Sequence, residues 1–334
     1  MDIFSVEIHP LHPYNPGNIY RLFGVNMVSD YIFTNPLPRV SGIPDVSFTC
    51  SNTNPCQVDW TKKPVHTSRF ITDDGESVLS VYTLDDCYVV RLEGYVDFYI
   101  FPDSIIAHPV DPSSLSWVET LLLGEIFSLW LELRGIRMIH ASAIVTDNDA
   151  IAFLSLSTGG KSSLAAAFAQ QDYLILTDDL LPVINRNDLF FAQPGYPAMR
   201  MWPDQATYFL GRYEDLEFVR PEYPKRRIVI GPQGFGTFCH EEKPLKVMYV
   251  PHRLSSNSDI SIEPISKKNG FFVLLQNSFS AGIVEALGLQ PQRMNFFSRM
   301  VTEVPVRNLN YPEGYHHFPC VVDAVLEDVK SLPG

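Results

Sequence analysis

The hydrophobic pattern changes character about a third of the way along the chain. Short apolar or alternating runs at 20–25, 46–50, 80–83, 88–92 and 96–101 are separated by clusters of Pro, Asn, Gly and Asp. Runs of this length with turn residues between them predict a small β-rich domain. A longer apolar stretch covers 115–133, with Ser113 or Ser114 available to cap its start and Gly135 to end it. Glu119, Glu125 and Glu132 interrupt it, so it lacks the uninterrupted run of about 18 residues that a membrane span needs. It predicts a buried helix with Trp117 and Trp130 in the core.

Beyond that helix, strand and helix patterns alternate. Residues 137–145 predict a strand, Asp147-Asn148-Asp149 a turn, and the run from Ile151 a second strand. A helix over 161–169 and a buried strand over 173–177 follow. Further strands are expected at 227–230, 247–250 and 301–306, the last at a sheet edge because of Pro305, with helices at 269–276, 281–287, 294–300 and 320–331. The division is therefore a β-rich domain over 1–112 and a mixed α/β domain over 113–334. Phe271, Phe272, Phe296 and Phe297 have the spacing of a peptide groove, but ordinary core packing is the commoner meaning of such spacing.

The richest chemistry lies in Ser155-Leu-Ser-Thr-Gly-Gly-Lys-Ser-Ser-Leu-Ala165, between a predicted strand and a predicted helix. Strand, glycine-containing turn, lysine, hydroxyl and helix N-terminus is the chain order of a phosphate-binding loop. Ser155 stands at the first glycine position of that pattern, which it can occupy where φ is below zero. Backbone N–H groups around Ser157, Thr158, Gly159, Gly160, Lys161, Ser162 and Ser163 would form the cradle for a nucleotide's phosphates. Lys161 would reach the terminal phosphates and Ser162 would ligate Mg²⁺. Ser163 is the poorer metal ligand, since one further residue turns its side chain about 100° around the helix.

The strand over 173–177 ends in Asp178-Asp179. In a strand–helix–strand crossover the two strands are parallel, so both aspartates emerge at the edge that carries the loop. Most Asp-Asp pairs are solvated turns, but at this strand end one carboxylate can hold Mg²⁺ while the other takes a proton from an attacking hydroxyl. A hairpin closed at Asp147–Asp149 sets His140 opposite about Leu156, at the same edge. There it is a candidate to orient or tune Asp178, although a lone His is more often a structural polar group.

His140-Ala-Ser-Ala, the loop from Ser155 and Leu176-Thr-Asp-Asp-Leu-Leu-Pro-Val183 together resemble the core of the HPr serine kinase/phosphorylase superfamily. More closely, they resemble its shorter relatives in peptide-modification systems, including kinases of lasso-peptide precursors. Pro194-Gly-Tyr-Pro-Ala-Met-Arg-Met-Trp-Pro203, Lys225-Arg226-Arg227 and Pro244-Leu-Lys-Val-Met-Tyr-Val250 extend the likeness. The resemblance implies a P-loop kinase core of the HPr kinase C-terminal type, behind a β-rich domain that helps bind substrate. It implies ATP and Mg²⁺ as cofactors, Lys161 and Ser162 on phosphate and metal, Asp178 as general base and Asp179 assisting the metal. Arg200, Lys225, Arg226 and Arg227 become candidate phosphate or substrate contacts. Ser155 and Thr158 stand where that family usually has glycine, and the second glycine-rich signature of HPr-acting enzymes is missing, which points away from HPr as substrate.

The expected activity is transfer of phosphate from ATP to a serine of a peptide or small protein, with a ribosomally made precursor peptide as the foremost acceptor. HPr phosphorylation, a carboxykinase-like reaction and a non-catalytic nucleotide sensor remain the other readings. A net charge of −13 argues against general nucleic-acid binding. Acidity can favour a basic peptide, though it is more often a solubility feature. Cys50, Cys56, Cys87, Cys239 and Cys320 form neither a zinc pattern nor a disulfide framework. With no signal-peptide pattern in MDIFSVEIHP, a cytoplasmic protein without membrane attachment is expected, and homo-oligomerisation stays open. His9, His12 and His66 read as surface residues among turns.

Overall fold

The computed structural model describes residues 18–72, 75–111, 114–156, 159–219 and 223–332. Their contacts fall into two units: the chain as far as Ile136 with Tyr223 and Ser280–Gln290, and Arg137–Val219 with Pro224–Phe279 and the residues from Pro291 onward. His9, His12, Ser113, Ser157 and Thr158 lie outside the described residues.

In the first unit the short apolar runs become strands β1 (Asn18–Leu22), β2 (Val25–Ser29), β3 (Val46–Cys50), β4 (His66–Thr72), β5 (Gly75–Thr83), β6 (Tyr88–Leu92), β7 (Val96–Ile100) and β8 (Ser104–Pro109). They form one sheet in the order β1-β2-β3-β8-β7-β6-β5-β4. The run at 20–25 is not one strand. Phe23 and Gly24, with φ of 53° and 82°, turn the chain back between β1 and β2, and the apolar, buried Phe23 hides that turn from a hydropathy reading. Helices α1 (Leu115–Leu121) and α2 (Phe127–Leu133) are joined by a π-helical turn at Leu122–Ile126. Trp117 and Trp130 are buried along them, and the Trp130 indole donates to the Pro102 carbonyl at 3.2 Å. A division at 112/113 leaves this helix with the second domain; by its contacts it belongs with the first unit. Helix α6, identified below, also belongs there.

The second unit is a mixed α/β layer structure. Its elements are β9 (Arg137–Ile139), β10 (Ala141–Thr146), β11 (Asp149–Leu154), α3 (Lys161–Ala169), β12 (Leu174–Thr177), β13 (Leu181–Arg186), β14 (Leu189–Ala192), β15 (Ala198–Met201), α4 (Pro203–Leu210), β16 (Arg226–Val229), β17 (Thr237–Phe238), β18 (Lys243–Leu254), β19 (Ser261–Pro264), α5 (Lys267–Gln276), α7 (Gln290–Glu303), β20 (Val306–Pro312) and α8 (Phe318–Ser331), while α6 is Ala281–Ala286. The main sheet runs β17-β12-β10-β11-β18-β14-β13-β9, with β20 between β18 and β19. Along β11 the alternation of a strand separates two cores. Ile151 and Phe153 pack with α3 and α8, whereas Ala150, Ala152 and Leu154 pack with α5 and α7.

Strand β10 lies antiparallel to both β11 and β12, which makes those two parallel on either side of it. Their C-terminal ends, carrying Ser155 and Asp178, therefore share one edge. Two elements differ from the pattern reading. The strand over 137–145 breaks at His140, with β9 pairing β13 and β10 pairing β11. The segment 301–306 is not a strand: α7 runs on to Glu303, Pro305 ends the helical path, and β20 starts at Val306 as an interior strand. No helix among the described residues is long and apolar enough to cross a membrane.

Candidate functional site

Helix α3 starts at Lys161 with Gly160 as its N-cap, at φ 95°, a left-handed conformation that favours glycine. Its alanine-rich sequence has high helix propensity and small side chains that pack closely between sheet and α8. The first N–H groups of such a helix lack intrahelical partners and point at the loop. Ser155 is not among the residues with positive φ, so serine fits this place without backbone strain. Its side chain fills the space beside Gly159, where an added Cβ would overlap the Ser155 Oγ.

Lys161 is buried and its Nζ donates to the Ser155 carbonyl at 2.8 Å and contacts the Leu156 carbonyl at 3.5 Å. It also meets His140 Nε2 at 3.0 Å. The other ring nitrogen, Nδ1, lies 3.0 Å from the Asp179 carbonyl oxygen. A carbonyl only accepts, so Nδ1 carries the proton and Nε2 is the acceptor for the lysine. Burial, and then the Lys161 charge, hold the imidazole below its usual pKa, in keeping with this neutral tautomer. His140 is fixed by its own N–H to the Asn277 carbonyl at 2.6 Å and by Phe279 against the ring. It therefore supports Lys161 and the Asp179 backbone, and makes no hydrogen bond to the Asp178 carboxylate. The register Ala141↔Leu154 brings it level with Ser155, one residue from the expected Leu156.

The two aspartates have separate surroundings. Asp178 Oδ1 accepts from Ser142 Oγ at 2.5 Å and Ser162 Oγ at 2.8 Å, and Oδ2 from the Arg200 N–H at 3.0 Å. Burial and then the neighbouring Asp179 charge raise its pKa, with those donors pulling the other way. Asp179, at φ 66°, faces Arg200 with Nη1 at 3.6 Å from its Oδ2. Burial opposes its ionisation, but the charges of Arg200 and Lys225, with Lys161 beyond them, outweigh this and lower its pKa. Arg200 is itself hydrogen-bonded to the Tyr196 hydroxyl. The Asp179 and Arg200 side chains remain 22% and 30% exposed, so the edge is open to solvent.

Of the four cations singled out in the sequence, Arg200 and Lys225 face this edge. Arg226 is buried between the Tyr213 and Phe218 rings, at 4.3 and 3.5 Å from their centroids, and Arg227 is paired with Glu217. Arg226 is thus taken up by the two rings, while Arg227 stands level with Arg200 across the β15–β16 pair. Ser163 accepts from Gln205 Nε2 at 2.7 Å, which ties α4 to the start of α3. Ser162 sits beside Asp178, not Asp179. Three of the four phenylalanines pack into the α5–α7 core, with Phe272 exposed. Ser142 and Tyr196 also bear on this site without standing in a recognised motif; the signal for Ser142 is a serine in the apolar first part of β10, two residues after His140.

No family model matches the chain, and no curated protein matches it. Among solved structures, the Hpr(Ser) kinase/phosphatase from Coxiella burnetii aligns with 58% of this chain and 96% of its own, at 10% identity and a TM-score of 0.29. A similarity of that size carries no weight for activity, and the functional reading rests on the site itself.

Proposed function

We propose that this protein is an ATP-dependent phosphotransferase that acts on a hydroxyl, and that the acceptor is a serine of a peptide or small protein, foremost a ribosomally made precursor peptide. The observation that carries the reading is the divided aspartate pair beside a lysine and a helix N-terminus. One carboxyl, Asp178, is held by three donors and its pKa is raised; the other, Asp179, is kept ionised by cations. Two carboxyls pushed apart in this way suit a division into proton acceptor and charge holder.

In the proposed reaction the acceptor oxygen attacks the γ-phosphorus and forms the new P–O bond as the bond to the β-phosphate oxygen breaks. The hydroxyl proton passes to Asp178, and the nucleoside diphosphate leaves with the bridging oxygen. Lys161 would release the Ser155 and Leu156 carbonyls to meet the terminal phosphates while keeping its hydrogen bond to His140 Nε2. The α3 N-terminus would hold the phosphate chain, and Arg200 and Lys225 would offset charge on the transferred group. Among the described residues no His, Cys, Asp and Glu group could hold a metal alone. The Ser162 hydroxyl and the Asp179 carboxylate are nevertheless the hard oxygen donors that would hold Mg²⁺ together with phosphate and water. Bound there, Mg²⁺ would neutralise phosphate charge. Serine in a peptide as the acceptor is supported by the shared order of histidine strand, loop and Asp-Asp strand described from the sequence.

Asp178→Asn tests the assignment, because it keeps the shape and loses the base. ATP affinity should stay within about threefold while phosphoryl transfer falls by about 100-fold or more. Unchanged turnover would remove Asp178 from the role.

A further inference from the structure

Two side-chain hydroxyls at the loop are buried and have no hydrogen-bond partner among the described residues: Ser155 Oγ and Tyr311 Oη. The Ser155 hydroxyl is explained by its place against Gly159. Tyr311 is not so explained. It comes from β20, and its ring, 1% exposed, packs in the core beside Phe318, a task that phenylalanine would perform equally well. Buried hydroxyls are nearly always paired, so one that is retained without a partner calls for a ligand or water to satisfy it.

Its position says which. A Cβ added at Gly160 would come within 2.6 Å of the Tyr311 Oη, so the phenol points at the N-cap of α3. Burial pushes the pKa of the Tyr311 phenol up to about 12, so it stays a donor, and Arg253, level with it in the adjacent β18, adds a positive charge nearby. An anion drawn to the free N–H groups of α3 would therefore meet a hydroxyl donor and a positive charge on the Gly160 side, with Lys161 and the aspartates on the other.

We propose that Tyr311 is a nucleotide-binding residue whose hydroxyl donates to a phosphate oxygen of the bound nucleotide at the Gly160 end of the loop. This rests on the phosphate-binding reading above. Gly159 and Gly160 have no side chains to hinder the small shift of the turn that would uncover the hydroxyl. Arg253 acts behind Tyr311 by its charge.

The test is Tyr311→Phe in the full chain, titrated calorimetrically with Mg²⁺-ATP and, separately, with Mg²⁺-pyrophosphate. Loss of a hydrogen bond to a charged group should weaken both by about tenfold or more, while the melting temperature without nucleotide stays level or rises. Arg253→Gln should weaken both in the same direction. Equal affinity of wild type and Tyr311→Phe would overturn the role of Tyr311 and leave the kinase reading standing. A loss seen with ATP but not pyrophosphate would overturn the phosphate contact. Wild type binding neither ligand would overturn both this proposal and the reading beneath it.

Discussion

At the residue scale, His140 is the hinge between charge and shape. Its Nδ1–H is committed to the Asp179 carbonyl and its Nε2 to Lys161, so a second proton would set two cations face to face. In the unfolded chain the ring takes up a proton at about pH 6.5, and in the folded protein only lower, because of burial and Lys161. Below about pH 6.5 the unfolded state thus binds more protons, and stability falls with pH by at most about 1.4 kcal/mol per unit until the folded ring titrates. His140→Gln can keep both contacts and cannot titrate. Its melting temperature should drop less than that of wild type between pH 7.5 and 5.5; parallel curves would show that His140 is not the group responsible. Residues of this kind were partly legible. Lys161, Ser162 and the aspartates stand in a motif whose order implies their meeting, whereas Ser142 is one hydroxyl in an apolar strand. Tyr311 is 150 positions from Lys161 in sequence, joined to the loop by sheet order and not by local pattern.

At the element scale, the site is the product of three strands and one helix. β10 between β11 and β12 sets both C-terminal ends at one edge, and α3 closes the crossover. The pairing of Ser155 with Gly159 is what lets this loop start with serine. Gly159→Ala should force Cβ onto the Ser155 hydroxyl, destabilise the fold by about 1–3 kcal/mol and weaken nucleotide binding. Adding Ser155→Gly should restore much of both losses. Calorimetry and thermal melting of the two single variants and the double variant check this; additive losses would mean that the two positions are not coupled. The helix and strand of the crossover were readable because their apolar runs are bounded by glycine and by Gln-Gln-Asp. The break at His140 was not, since apolar residues continue on both sides and the change of pairing partner leaves no trace in hydropathy. The β1–β2 turn escaped for the same reason: Phe23 supplies a left-handed turn position with an apolar, buried side chain.

At the scale of the whole molecule, the chain carries a β-rich unit and a mixed α/β unit, with the candidate chemistry in the second. The net charge of −13 suits the proposed acceptor if the segment around its serine is basic, since acidic surfaces raise the local concentration of cationic partners. Raising salt should then slow capture of a basic peptide more than of a neutral one. Phosphoryl transfer at Lys161 and Asp178 adds a fixed mass to its acceptor, which mass spectrometry reads. Purified protein is incubated with Mg²⁺-ATP and a panel of serine-containing precursor peptides, with HPr and the Lys161→Ala variant as controls. The mass of one phosphate is expected on a serine of a peptide, absent with the variant and absent from HPr. ATP bound by the wild type with no phosphate reaching any peptide would contradict it and favour a nucleotide sensor.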